Sequence, residues 1–231
     1  MERILKLTIF LIIVAVILIA AWYFESQRRE GLGRVAQRIG FKLEAGQHRL
    51  PQTLDSAGFY LFTQGEPLIQ NMMDGARNSD RLLLFNYTFV ATEGFEGRRE
   101  IPSVTDEGTI LTHMQTVVAF IDIDPLPHFD LSPNDNSKRT LPGDFRPVGF
   151  DDAGDFTQHY RLAAREEAKV RALFNEQLLA HFALNPGWVI ESRGDQVILY
   201  RQDERMKPEE MVVFIDQAHY LLDNLRLHLH R

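Results

Sequence analysis

The chain has 231 residues, 45% of them hydrophobic and 25% charged, with 25 Lys/Arg against 32 Asp/Glu and a formal net charge of −7. The absence of cysteine excludes disulfides, thiolate metal sites and cysteine nucleophiles, and fits a reducing or an oxidising compartment alike. The acidic balance disfavours nucleic acid, since a phosphate backbone calls for a basic face interleaved with aromatics, and none appears beyond the first 42 residues.

The run Leu7–Phe24 holds eighteen residues with no charge, no Pro and no Gly. As a helix it spans about 27 Å, close to the hydrocarbon thickness of a bilayer, and inside lipid only a helix satisfies the backbone of a single segment. A transmembrane anchor over residues 1–24 is therefore predicted, with the lipid bilayer as its first partner. A cleaved signal is the competing reading, disfavoured because the run is long and closes in Trp22, Tyr23 and Phe24. Trp22 and Tyr23 suit the membrane interface, with Arg28 and Arg29 just beyond it. Lys/Arg is denser after the run (Arg28, Arg29, Arg34, Arg38, Lys42) than before it (Arg3, Lys6). The positive-inside rule then puts the N-terminus outside and the body in the cytoplasm.

Residues 25–45 read as a basic juxtamembrane helix with Leu32, Val35, Ala36 and Ile39 on one stripe, ended by Gly40. Gly31-Leu-Gly33-Arg-Val-Ala36 spells a dinucleotide fingerprint, but no strand precedes it, and a loose hinge is the expectation. Residues 46–231 read as a single soluble α+β domain, acidic by eleven charges beyond residue 42. Aromatic and β-branched runs at 59–62, 68–73, 82–90 and 110–121 predict an antiparallel meander. Residues 132–156, rich in Pro, Asn, Asp and Gly, read as a long irregular connection.

In the last third, 160–162 reads as a short strand, 165–184 as a helix, and 188–190 with 196–200 as a hairpin around Ser192-Arg-Gly-Asp195. The final helix opens at Pro208 and carries Met211, Phe214, Ile215, Ala218, Leu221, Leu222, Leu225 and Leu229 at helical spacing. The predicted fold is thus a transmembrane helix, then an antiparallel meander with two C-terminal helices packed on the sheet.

The segments Gln64–Gly75, Leu84-Phe-Asn-Tyr-Thr-Phe89, Leu126-Pro-His-Phe-Asp-Leu-Ser-Pro133 and Gly187-Trp-Val-Ile-Glu191 together resemble a group of bacterial membrane-anchored proteins that share a domain of unknown function. The resemblance runs from about Ala36 to the last helix and implies kinship of fold, with no chemistry to transfer. Asn86-Tyr-Thr88 departs from the Asp-Tyr-x-Tyr form associated with that group.

Asp122-Ile-Asp124-Pro-Leu-Pro-His128 is the sharpest polar constellation, since alternation sets both carboxylates on one face of a strand end with an imidazole nearby. A solvated strand end with a Pro-driven chain reversal is the favoured reading. His113, His159, His181 and His219 match no local zinc spacing, His228 and His230 suit a helix C-terminus, and Asp151-Asp-Ala-Gly-Asp155 lacks the order of a calcium loop. Arg193-Gly-Asp195 and the sequon Asn86-Tyr-Thr88 are motifs by letter only, and neither a nucleophile elbow nor a phosphate loop is present. No cofactor or metal is expected. The reading that follows is a single-pass, non-enzymatic protein-binding or envelope-assembly module, its partner surface in 132–156, with pairing of sheet edges as a route to a homo-oligomer. Two alternatives are a tethered hydrolase using Asp122, Asp124 and His128, and a lipid-handling domain with an apolar cavity between the sheet and the late helices.

Overall fold

The computed structural model describes residues 2–65, 67–92, 110–134, 139, 141–150 and 154–227. Among them the elements run α1 (Glu2–Ile39), β1 (Lys42–His48), α2 (Gln52–Ser56), β2 (Leu68–Arg77), β3 (Asp80–Thr92), β4 (Ile110–Ile121), β5 (Leu126–Pro133), β6 (Arg146–Pro147), α3 (Gly154–His159), β7 (Tyr160–Ala164), α4 (Glu167–Leu173), α5 (Glu176–Leu184), β8 (Trp188–Gly194), β9 (Val197–Arg201) and α6 (Met211–Arg226). The strands form one antiparallel sheet in the order β1-β2-β3-β4-β9-β8-β5-β7-β6. The fold is α+β, as expected. The meander holds for β2 to β4, with β1 added at its edge, after which the β8–β9 hairpin inserts between β4 and β5.

Alternation along the strands divides the core into two layers. On one face Leu82, Leu84, Val118, Phe120, Trp188, Ile190, Val197 and Leu199 meet α1, α4, α5 and α6. On the other Leu83, Phe85, Tyr87, Val117, Ala119, Val189, Ile198 and Tyr200 meet Leu54, Phe59, Leu61 and Phe62. Since helices cover one face and the 54–62 segment the other, the central strands read as near-continuous apolar runs.

Four expectations are corrected in detail. The helical stretch 25–45 ends at Ile39, and Lys42–His48 is an edge strand. The aromatic run 59–62 is not a strand: Tyr60–Thr63 is a 3₁₀ turn, because Glu191 takes the backbone N–H groups of Tyr60 and Leu61. The helix expected over 165–184 is two helices, because Asn175 caps α5 by accepting from the N–H of Leu178 at 2.8 Å. The hinge expected at Gly31 and Gly33 lies inside α1, which continues unbroken through both.

α1 is long and apolar enough, by length and composition, to cross a membrane, and none of residues 4–24 is buried. Its last turns differ: Leu32, Val35 and Ala36 are buried in the core beside Phe41 and Met73. Gly31 explains how closely the helix approaches, since a Cβ there would lie 2.8 Å from the Pro208 ring. Gly33 has room, its nearest neighbour being Leu43 at 3.9 Å. Gly33→Ala is expected to raise the unfolding temperature through a helix propensity gain of up to about 1 kcal/mol. Gly31→Ala is expected to lower it, because overpacking against Pro208 costs about 1–3 kcal/mol and outweighs the same gain. Thermal unfolding in detergent checks the pair, and a rise in both variants would mean that α1 is not seated on Pro208.

Candidate functional site

Below the apolar run, α1 is bolted to the sheet by polar contacts. Arg28 donates to Asn86 Oδ1 at 3.2 Å and to the Met206 carbonyl at 2.6 Å, and Thr116 donates to the same Asn86 oxygen at 3.0 Å. Glu25 accepts from Arg205 at 3.1 Å and from Asn71 at 3.4 Å. Burial, with the Arg205 charge next to it, pulls Arg28 down to about 10, which leaves it protonated at neutral pH. Of the four interface residues expected from the sequence, Trp22, Tyr23 and Arg29 are exposed, whereas Arg28 is committed to the domain. Asn86 is buried in this collar.

A second polar centre lies on the sheet face away from α1. Asp130 on β5, Glu191 and Arg193 on β8 and Tyr200 on β9 converge on Arg139, and all five are buried. Arg139 donates to Asp130 at 2.5 Å, to Glu191 at 2.7 Å and to the Tyr200 hydroxyl at 2.9 Å, with its guanidinium 4.2 Å from the centre of the Tyr60 ring. Glu191 also accepts from the Tyr200 hydroxyl at 3.1 Å, and Arg193 donates to the carbonyls of Phe129 and Gly58. Two carboxylates face two guanidiniums, so the centre is neutral in sum. Burial raises Asp130 above the usual carboxylate range. Burial also acts on Glu191, but Arg139 and Arg193 outweigh it and hold this carboxyl below its usual range. Burial likewise pushes the Tyr200 phenol well up, so it remains a donor.

Among the described residues of 132–156, Arg139, Phe145, Val148 and Phe156 are buried, whereas Asn134, Pro142, Gly143, Asp144, Arg146, Pro147 and Gly149 are exposed, so the exposed surface expected there is pinned to the core at a few points, Arg139 among them. The Arg-Gly-Asp motif is closed off too, Arg193 being buried with its guanidinium 4.9 Å from the Phe145 ring centre.

Asp122, Asp124 and His128 sit in different surroundings. Asp122 is exposed beside Arg81 at 3.4 Å, Asp124 is exposed, and half-buried His128 is surrounded by Arg165, Arg193, Asp144 and Glu166. Among the described residues no group of three His, Asp or Glu could hold a metal. His113 stacks on Phe89 and meets Asp203 at 2.8 Å, His219 lies edge-on to Phe120, and His181 lies against Tyr220. His228, His230 and Asp151 fall outside the described residues.

Between the sheet and the late helices, where a lipid cavity was one expectation, Trp188 stacks on Phe214 with ring centres 5.1 Å apart and side chains of α4, α5 and α6 fill the layer. Grooves open at the surface, one of about 610 Å³ beside Pro133, Asn134, Gly187 and Gln202 and others on the outside of α6. A groove of about 510 Å³ beside Arg205, Met206 and Glu209 and another of about 280 Å³ beside His181, Trp188 and Tyr220 share Arg201, Val213 and Gln217. Arg201 stacks over Trp188 at 4.9 Å, and Val213 is 58% exposed. Sequence reasoning missed this surface because Val213, Gln217 and Tyr220 look like gaps in the core stripe of α6, although their own spacing is helical.

Arg139→Ala leaves Asp130 and Glu191 buried without their shared cation and is expected to cost about 3–5 kcal/mol, read by urea unfolding. For Glu191, a carboxyl held below its ordinary value, the stability contributed is full above the unfolded pKa and is lost as pH falls through the folded one. The deficit of Glu191→Gln relative to the parent is therefore expected to be largest near neutrality and to shrink below about pH 4.3. A deficit independent of pH would remove Glu191 as a charged member of the centre.

No family model matches the sequence, and no curated protein does. Among solved structures, the crystal structure of the mycobacterial trehalose monomycolate transport factor A, TtfA, is similar to this chain with a TM-score of 0.57 and 13% identity, over 87% of this chain and 93% of that one. At that identity the likeness shows a shared fold across nearly the whole length of both chains.

Proposed function

We propose that this protein is a single-pass, membrane-anchored binding module that works in the cell envelope without catalysing a reaction. The observation that carries the reading is the seating of α1. Its apolar upper part is not buried, while Leu32, Val35 and Ala36 belong to the core, so that anchor and domain are one continuous body. Such a body holds the domain at a fixed height and angle to the bilayer, which is what a scaffold requires. The fold shared with TtfA, a trehalose monomycolate transport factor, supports an envelope role, and the open, solvated setting of Asp122 and Asp124 favours binding over hydrolysis. The cytoplasmic side is the proposed compartment for the domain, on the Lys/Arg asymmetry described above.

The outer face of α6 is the surface this module offers, because Val213 and Tyr220 are exposed apolar side chains flanking a groove with Arg201 at its centre. A lipid or glycolipid leaving the bilayer is the alternative occupant, since the groove begins at Arg205 and Met206, next to the collar of α1.

The test compares full-length protein with a Val213→Glu/Tyr220→Glu variant, each purified from detergent-solubilised membranes, with co-purifying proteins and lipids quantified by mass spectrometry. Both positions are exposed, so the unfolding temperature is expected to stay within a degree or two of the parent's. Selective loss of a protein supports the module as proposed, whereas selective loss of a lipid favours the alternative. An unchanged set of both would sink the assignment to α6.

A further inference from the structure

We infer that the open end of the β3–β4 hairpin, carrying Val90, Leu111 and Met114, is a second membrane contact that rests in the headgroup layer beside α1. It relies on the anchoring proposed above and adds a surface to it.

The level of the hairpin relative to α1 follows from three contacts. Phe41, just past the end of α1, lies on Gly75, which pairs with Leu82. Gly33 lies against Leu43, which pairs with Met73 and through it reaches Leu84. Arg28 bonds to Asn86. Climbing α1 toward its apolar run therefore means climbing β3 from Leu82 through Leu84 to Asn86. Phe24, the last residue of the run, lies only one helical turn above Arg28. On β3 and its partner β4, Met114 (opposite Thr88) stands about 7 Å and Val90 about 13 Å along the strand past Asn86. The hairpin thus reaches the height at which the apolar run begins.

Composition and exposure change at the same height. From Asn86 to Thr92 and from Ile110 to Thr116 there is no Asp, Glu, Lys or Arg, in a chain in which 25% of residues are charged. Lower down, that lack of charge is explained by burial, with Leu84, Phe85, Val117 and Val118 all inside. Higher up it is not, since Val90 is 40% exposed, Leu111 39% and Met114 44%. Alternation places Val90 and Met114 on one face of the hairpin and Leu111 on the other. A protein partner docking on one face would leave the other uncovered, whereas a lipid layer entered end-on surrounds both. The connecting sequence 93–109 includes Glu93, Glu96, Arg98, Arg99, Glu100, Asp106 and Glu107, which limits the depth to the headgroups.

Because the chain has no cysteine, single-cysteine variants report one position each. Full-length Val90→Cys, Met114→Cys, Leu18→Cys and Asp223→Cys proteins are labelled with an environment-sensitive fluorophore and reconstituted into phosphatidylethanolamine/phosphatidylglycerol vesicles. Some vesicles carry nitroxide lipids labelled at the headgroup and others nitroxide lipids labelled in the acyl chain. Asp223 is the control: it is exposed near the end of α6 that Arg226 fixes to Asp80, at the other end of β3 from Val90. The expected result is loss of fluorescence at positions 90 and 114 with headgroup nitroxide, at 18 with acyl nitroxide, and at 223 with neither. Quenching at 18 with 90 and 114 no more quenched than 223 overturns the second contact and leaves the anchor standing. Lack of quenching at 18 overturns the anchor and the contact with it. An unfolding temperature equal to the parent's qualifies each labelled variant, and exposed Thr112 replaces any that fails.

Discussion

Everything in this molecule that bears on position depends on the packing of the last turns of α1 against the 208 turn and the first sheet face. A helix that merely tethered the domain would end in a flexible stretch, and Gly31 and Gly33 supply the residues for one. Here the glycine serves closeness instead. With no Cβ at Gly31 the helix can lie on Pro208, and Leu32, Val35 and Ala36 then reach the core that Met211, Phe214 and Ile215 of α6 also fill. Complete burial of a Leu side chain contributes about 1.5–3 kcal/mol, so a loose arrangement would forfeit a sizeable share of the stability of a domain of this size.

The two polar centres solve different problems on opposite faces of the sheet. At the collar, Arg28 and Glu25 are charged groups just past the apolar run, and each is met by polar partners on the domain, Asn86 serving Thr116 as well. At the Arg139 centre, charges are buried outright and balanced two against two. A buried pair of this kind gives little net stability over an apolar replacement, but it is unforgiving of partial loss. Its effect is selective: only an arrangement that brings β5, β8, β9, the Tyr60 turn and Arg139 together leaves none of these charges stranded.

Much of the fold was legible in the sequence because it is written in local periodicity. The apolar run, the stripe at Leu32, Val35, Ala36 and Ile39, the stripe of α6 and the long strands β3 and β4 all follow from spacing alone. The break between α4 and α5 was also visible in principle, in Asn175 followed by Glu176, but was hidden by the apolar pattern running across it. The turn at Tyr60–Thr63 was not, since its aromatic composition favours a strand and its conformation is set by a carboxylate 131 residues away. The Arg139 centre and the α6 groove share that difficulty. Their members are adjacent only after β8 and β9 have been inserted beside β4, and no local pattern carries that pairing.

The contact between the two ends of the chain has a consequence for biosynthesis. Glu25 and Arg28 close on Arg205 and Met206, about 180 residues later, and the core stripe of α1 is completed by α6, the last described helix. During translation α1 leaves the ribosome before α6, and its core-facing stripe, which Phe41 and Met73 can meet early, is not completed until the roughly 180 residues up to α6 have followed. Contacts of such long range are closed late and slowly. Until α6 follows, the nascent chain therefore carries an incompletely covered apolar stripe directly below its apolar run, a period in which a chaperone or an insertase is the natural cover for Leu32 and Val35.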